Sequence, residues 1–246
     1  MKTELLGLLC QKFYKVVNVA DKSGDPLPGQ IVFAHTVYPT DEPWIVKVIN
    51  YDAGDPTRSR YELKKFEPAD RTHFPVAELS LRKDEHLYVY KGKERPLVVV
   101  GAMKSRWANP LYDERVFVCA PLFTWKERHS DVFKIECAAF FHPSLFYLPA
   151  ESDGCSSEGA VRFEYVQPIL RKALHNYLAG TPSRPIALSN EAFALLLNHL
   201  GRFLFRRDFD PKVCGQMDTY RALVKEELDK MKADTKHDGS SSMSSK

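Results

Sequence analysis

Two nearly continuous apolar runs of strand length, Pro96-Leu97-Val98-Val99-Val100-Gly101-Ala102 and Arg115-Val116-Phe117-Val118-Cys119-Ala120-Pro121, limit what this chain can fold into. Consecutive side chains of a strand point to opposite faces, so a strand that is apolar at every position must be covered on both sides. The chain therefore needs further elements above and below these segments. With 246 residues, 44% hydrophobic and 27% charged, it has enough material for one large domain or two small ones. The same composition excludes disorder of the whole chain.

More β-like material surrounds the two runs. Gly29–Tyr38 follows the breakers Pro26 and Pro28, Trp44–Tyr51 follows Pro43, and His86–Tyr90 precedes the first run. Val132–Cys137 alternates polar with apolar residues and reads as a strand with one wet face. Between Asp52 and Asp84 the composition turns charged, with breakers at Pro56, Pro68 and Pro75, which predicts a long loop holding one short helix or strand.

From Pro168 the pattern becomes helical. Gln167–Leu178 has apolar residues three and four apart and stops before Gly180 and Pro182. A second helix is predicted over Ala192–Phe205, capped by Ser189 or Asn190 and apolar around most of its circumference, hence buried or in a subunit contact. A third, amphipathic, covers Asp218–Lys232 with Glu226 and Lys230 at i,i+4. The low-complexity tail from Lys236 is expected to be disordered. The expected organisation is an N-terminal segment 1–28, a β-rich region 29–180 with an insertion at 52–84, a helical extension 181–235 and the tail 236–246.

Composition narrows the functional classes. A net charge of +3 lacks the concentrated basic stripe of a dedicated DNA binder. No apolar run reaches the roughly 18 residues of a membrane span, so no membrane partner is expected. Gln11-Lys12 interrupts the apolar opening and no small-residue cleavage site follows, which predicts a cytoplasmic chain without a secretory signal. The five cysteines are odd in number, widely spaced and free of Cys-x-x-Cys, which disfavours a disulfide framework or zinc module. None of the eight histidines pairs with another ligand at metal spacing, and nucleotide-binding and hydrolase signatures are absent. No metal or other cofactor is expected.

One ordered series stands out. Gly29-Gln30-Ile31-Val32 is followed by Arg95-Pro96 and its apolar strand, then by Val116–Thr124, then by Glu158–Ile169. The series resembles the MazF/PemK family of toxins from toxin–antitoxin systems. The resemblance implies a mainly β fold with α-helices, a small and strongly curved antiparallel barrel with C-terminal helices, dimeric, cleaving single-stranded RNA without a metal. It implies a cognate antitoxin protein as partner, and it implies Arg95 and the threonine closing the next strand, Thr124, as the catalytic pair. The chain departs from the pattern in two ways. Thr124 comes three residues after Pro121, leaving Phe123 at the hydroxyl position, and 66 positions separate Gly29 from Arg95.

The chemistry is consistent with those residue types. Metal-free RNA cleavage uses the neighbouring 2′-hydroxyl as nucleophile, so the protein supplies a proton acceptor, a proton donor and a cation for the phosphorane. The arginine fork of Arg95 suits the cation; its alternative is a solvated residue after the turn Lys91–Glu94. His129 is the nearby group that titrates near neutrality, a candidate acid or base. Lys104, Arg106, Trp107, Trp125, Lys126 and Arg128 flank the central strands, where cations contact phosphates and rings stack on unpaired bases, unless the tryptophans cap the core. With Phe123 in place of a hydroxyl, the competing reading is a catalytically inactive barrel serving as a protein- or nucleic-acid-binding module.

Overall fold

The computed structural model describes residues 7–17, 24–38, 44–50, 52, 54–65, 88–103, 115–127, 129–152, 154–175 and 185–240. Its strands are β1 Tyr14–Val16, β2 Ile31–Val37, β3 Trp44–Asn50, β4 Arg60–Lys65, β5 Tyr88–Val89, β6 Gly92–Met103, β7 Val116–Thr124, β8 Leu145–Leu148, β9 Gly159–Arg162, β10 Gln167–Leu170 and β11 Ile186–Leu188. The helices are α1 Asp131–Ala138, α2 Asn190–Phe205 and α3 Pro211–Ser240. The chain divides into two compact units, one of residues 1–34 with 94–246 and one of residues 35–93. Among the described residues no helix is long and apolar enough to cross a membrane.

In the smaller unit β3 pairs antiparallel with β4 on one edge and β5 on the other. Ile45 at its centre is buried. The charged stretch after Asp52 thus contributes β4 to a sheet, with a short 3-10 turn at Pro56–Arg58 before it.

In the larger unit the two apolar runs become β6 and β7, paired antiparallel from Leu97↔Pro121 to Met103↔Val116 with a register shift between Val99 and Gly101. Both faces are covered, as the runs require. Leu97, Val99, Phe117 and Cys119 pack with Val32, Ala34, Ile169 and Leu174 in one core. Val98, Ala120 and Leu122 face a larger core built with Phe146, Val161, Leu195, Leu196, Leu200, Tyr220 and Val224. The strands and the C-terminal helices therefore share the larger of two hydrophobic cores.

A closed barrel is not formed by the described strands. The six-stranded sheet runs β2-β6-β7-β9-β8, with β10 also on β7. The edge of β7 opposite β6 is divided, Leu122–Thr124 pairing with β9 and Val116–Cys119 with β10. Beyond β10 a single bridge curls back to β2, Phe33 N donating to His175 O at 2.7 Å and His175 N to Phe33 O at 3.0 Å. One bridge does not make a ladder, so the curl stays open at this seam. The fold is mixed α and β with antiparallel sheets.

Two expected elements change type. The first part of the helix predicted over Gln167–Leu178 is β10 followed by a 3-10 turn at Arg171–Ala173, and residues 176–178 lie outside the described residues. Pairing with β7 satisfies the backbone of Gln167–Leu170 and buries Ile169, and an edge strand tolerates Pro168. Conversely, Val132–Cys137 lies in helix α1. Ser130 Oγ accepts the Phe133 amide at 3.2 Å, and the helix buries Ile135, Cys137 and Ala138. The alternation there is incidental to a face set by helical spacing.

Helix α2 begins as predicted, with Ser189 Oγ accepting the Ala192 amide at 3.1 Å. Helix α3 starts earlier than expected, at Pro211, where Asp210 Oδ1 accepts the Lys212 amide at 2.9 Å and proline suits the first helical position. It also continues to Ser240, through the start of the tail expected to be disordered. A nucleated helix adds one hydrogen bond per residue and propagates readily. Residues 241–246 lie outside the described residues.

His199 ties α2 to the turn before β8. Its Nε2 lies 3.1 Å from the carbonyls of His142 and Leu145, so Nε2 carries the proton and donates to both. Burial of the ring, with only partial compensation from these carbonyls, lowers its pKa to about 4. An unfolded histidine titrates near 6.5. The folded pKa is the lower one, so the stabilisation is complete above about pH 6.5 and is lost as pH falls towards 4. The urea midpoint should decline over that window, and the decline should flatten in His199→Gln. Separately, Leu196 is fully buried between strands and helices. Leu196→Ala should cost about 2–5 kcal/mol in chemical denaturation, because strand and helix layers share the cavity it would leave.

Candidate nucleic-acid interface

The β6–β7 ladder determines which side chains meet at its Arg95 end. Arg95 precedes Leu97 by two residues and Phe123 follows Pro121 by two, so the two stand opposite on one face. The Arg95 guanidinium carbon lies 4.2 Å from the Phe123 ring centroid. On the far side of β7, Phe123 pairs with Ala160, which sets Arg162 as a diagonal neighbour on the same face. The Arg162 guanidinium carbon is 5.2 Å from the Phe123 ring and 4.6 Å from that of Tyr165. The Phe123 and Tyr165 rings lie 5.6 Å apart.

This cluster is half-buried throughout. Partial desolvation strengthens the attraction between each guanidinium and the ring face. Glu164 Oε2, 3.4 Å from Arg162 Nε, is the accompanying carboxylate. Two guanidiniums and one carboxylate thus lie over an aromatic floor. Such a surface can hold a phosphate and stack a base; the carboxylate adds a proton acceptor.

The other residues singled out by sequence fall elsewhere. Thr124 is exposed and follows Phe123 directly in a regular ladder, Leu122↔Val161, Phe123↔Ala160, Thr124↔Gly159. With no bulge to re-aim it, Thr124 projects from the opposite face, and Arg95 has Phe123 as its cross-strand neighbour. His129 belongs to a separate aromatic group. Its ring lies 6.2 Å from Trp125 and 5.6 Å from Phe133, and its Nδ1 is 3.1 Å from Lys126 O. Trp125 packs 5.2 Å from the buried Tyr147 and against the larger core, so it caps that core. Lys126 is exposed beside it. Lys104, Arg106, Trp107 and Arg128 lie outside the described residues.

A neighbouring network fixes this end of the sheet. Glu158 accepts from Tyr147 Oη at 2.7 Å and from Lys134 Nζ at 2.7 Å, linking α1, β8 and the start of β9. Burial, reinforced by the Glu158 carboxylate, pushes the Tyr147 phenol well above its ordinary range, so it stays a neutral donor. Among the described residues no three His, Cys, Asp or Glu side chains converge as metal ligands would.

Sequence reasoning reached Arg95 but missed Arg162, Tyr165 and the role of Phe123. Arg162 and Tyr165 lie in a segment whose ladder partner is decided by the path of the chain, and Phe123 stands out in the sequence only as the absence of a hydroxyl, not as a ring beneath two guanidiniums. The stack also depends on Gly159, where an added Cβ would come within 2.6 Å of the Phe123 carbonyl. Gly159→Ala must push β9 off β7. It should lower stability by about 1–3 kcal/mol, and the ring-current shifts of the Arg95 and Arg162 side-chain methylenes should diminish in the same NMR spectrum.

Comparison with known protein families, with characterised proteins and with solved structures finds no match for this chain.

Proposed function

We propose that the face carrying Arg95, Phe123, Arg162 and Tyr165 binds single-stranded RNA. The observation that carries this reading is the placement of two guanidiniums beside one phenylalanine ring, at 4.2 and 5.2 Å. Planar guanidiniums bind phosphate through two parallel N–H bonds, and unpaired bases stack on guanidinium planes and on tyrosine. Arg95 is also the residue that the MazF/PemK resemblance directs at RNA. Thr124 on the other face and Phe123 beneath the arginines favour recognition over cleavage.

A second reading, a metal-independent endoribonuclease of the toxin class with an antitoxin partner, draws on Glu164. Its carboxylate beside Arg162 puts a proton acceptor next to the cations that would stabilise a phosphorane. One pair of measurements separates the two. In fluorescence anisotropy with a labelled single-stranded RNA, affinity should fall as salt rises, by a slope of about 0.7 per phosphate contacted. Arg95→Gln and Arg162→Gln should each weaken binding by about tenfold and flatten that slope. Unchanged binding in the double variant would overturn the proposal. In parallel, long RNA incubated with protein in EDTA should stay intact. Cyclic phosphate ends, with cleavage reduced about 10²-fold in Arg95→Ala, would establish the enzyme reading instead.

A further inference from the structure

Helices α2 and α3 enclose a cleft distant in sequence from the arginine face. His199, Arg202 and Phe203 line it from α2, at i, i+3 and i+4, and Met217, Asp218 and Arg221 line it from α3, at i, i+1 and i+4. Phe140 and Phe141, from the turn after α1, complete its apolar wall. Its volume is about 170 Å³. An apolar cavity of about 150 Å³ holds a benzene ring.

The polar groups of the cleft differ in what remains open to a ligand. Arg202 is fully engaged, donating from Nε to Asp208 at 2.7 Å and from Nη1 and Nη2 to both oxygens of Asp218 at 2.7 and 2.8 Å. Arg221 is exposed, and its guanidinium sits 5.0 Å from the Phe141 ring centroid. Among the described residues no carboxylate forms an ion pair with it. His199 is 4% exposed, and Nε2 donates to two backbone carbonyls, which leaves the lone pair of Nδ1 without a partner among the described residues. Asp218, held by Arg202, keeps lone pairs on a largely exposed carboxylate.

The cleft therefore offers one donor group, Arg221, and two acceptors, Asp218 and Nδ1 of His199, around an aromatic wall. Asp218 and, from outside the lining, Asp208 offset Arg202 and Arg221, so the cleft together with its ion-pair partner carries no net charge. A zwitterion meets every requirement at once. We infer that this cleft binds a free α-amino acid with an aromatic or branched apolar side chain. The carboxylate pairs with Arg221, the ammonium donates to Asp218 and to His199 Nδ1, and the side chain lies among Phe140, Phe141, Phe203 and Met217. The imidazole can accept from the ammonium because burial keeps it neutral at physiological pH.

Calorimetric titration of the full chain with three probes tests this assignment. L-Phenylalanine carries both charges, 3-phenylpropionate lacks the ammonium and 2-phenylethylamine lacks the carboxylate. L-Phenylalanine should bind saturably, in the millimolar range or tighter, and each analogue at least about tenfold more weakly, the loss of one charged hydrogen-bonding group. Arg221→Gln, a change at an exposed side chain, should keep the wild-type melting temperature. It should weaken L-phenylalanine about tenfold and leave 2-phenylethylamine unchanged. A shift of the His199 Nδ1 resonance on adding L-phenylalanine would place the ammonium at that nitrogen. Absence of saturable binding, equal affinity for L-phenylalanine and 3-phenylpropionate, or an Arg221→Gln protein that binds L-phenylalanine as the wild type does would each overturn the inference. Arg221 lies outside the proposed RNA face, so these outcomes are independent of the RNA measurements.

Discussion

The ladder between β6 and β7 is the constraint on which the larger unit depends. β7 is hydrogen-bonded along one edge to β6 and along the other to β9 and β10 in succession, so three segments take their positions from one strand. Its side chains are apolar on both faces, which forces the chain to supply two cores. The smaller core is closed by β2, β10 and the turn that carries Leu174. The larger is closed by α1, α2 and α3, and it covers the Leu195, Leu196 and Leu200 face of α2, while Leu204 and Phe205 at its end are exposed. Removing either cover would expose strand positions that have no polar alternative.

The same ladder creates the arginine face at its end. Beyond Leu122 the buried positions give way to the half-buried Phe123, and the register that placed Leu97 opposite Pro121 places Arg95 over that ring. Because β7 changes partner from β10 to β9 midway, Arg162 arrives from the other side at the same ring. A strand alternates strictly between faces, so the hydroxyl of Thr124 is excluded from this group by one residue of register. What the face can do follows from that exclusion: it presents cations and rings, with Glu164 as its carboxylate.

Across the larger core, polar groups between α2 and α3 specify how the helices pack. Arg202 bridges Asp208 and Asp218, and Asn198 accepts the Asp210 amide at 2.7 Å, fixing the turn that leads into α3. His199 anchors α2 to the carbonyls before β8. Its neutral ring suits a buried site, since the charged form would meet the desolvation penalty of that site. The cleft between the helices is lined by His199, Arg202 and Asp218 of this polar set.

The sequence by itself determined the elements whose signals are local. The two apolar runs, the strand after Pro28 and the start of α2 at Ser189 required no partner to be recognised, because burial on both faces and an N-cap are written in consecutive residues. The starts of α1 at Ser130 and of α3 at Asp210-Pro211 are equally local, but an alternation in the first and an amphipathic stripe further along in the second compete with them as patterns. Tertiary structure alone decided the rest. Gln167–Leu170 has helical spacing, yet an open edge of β7 offered hydrogen bonds and a pocket for Ile169, and pairing outweighed propensity. Arg95 was legible from its place before an apolar strand. Its partners Phe123, Arg162 and Tyr165 were not, because contact between residues distant in sequence is set by strand register, and register is settled only when both faces of a sheet find their cores.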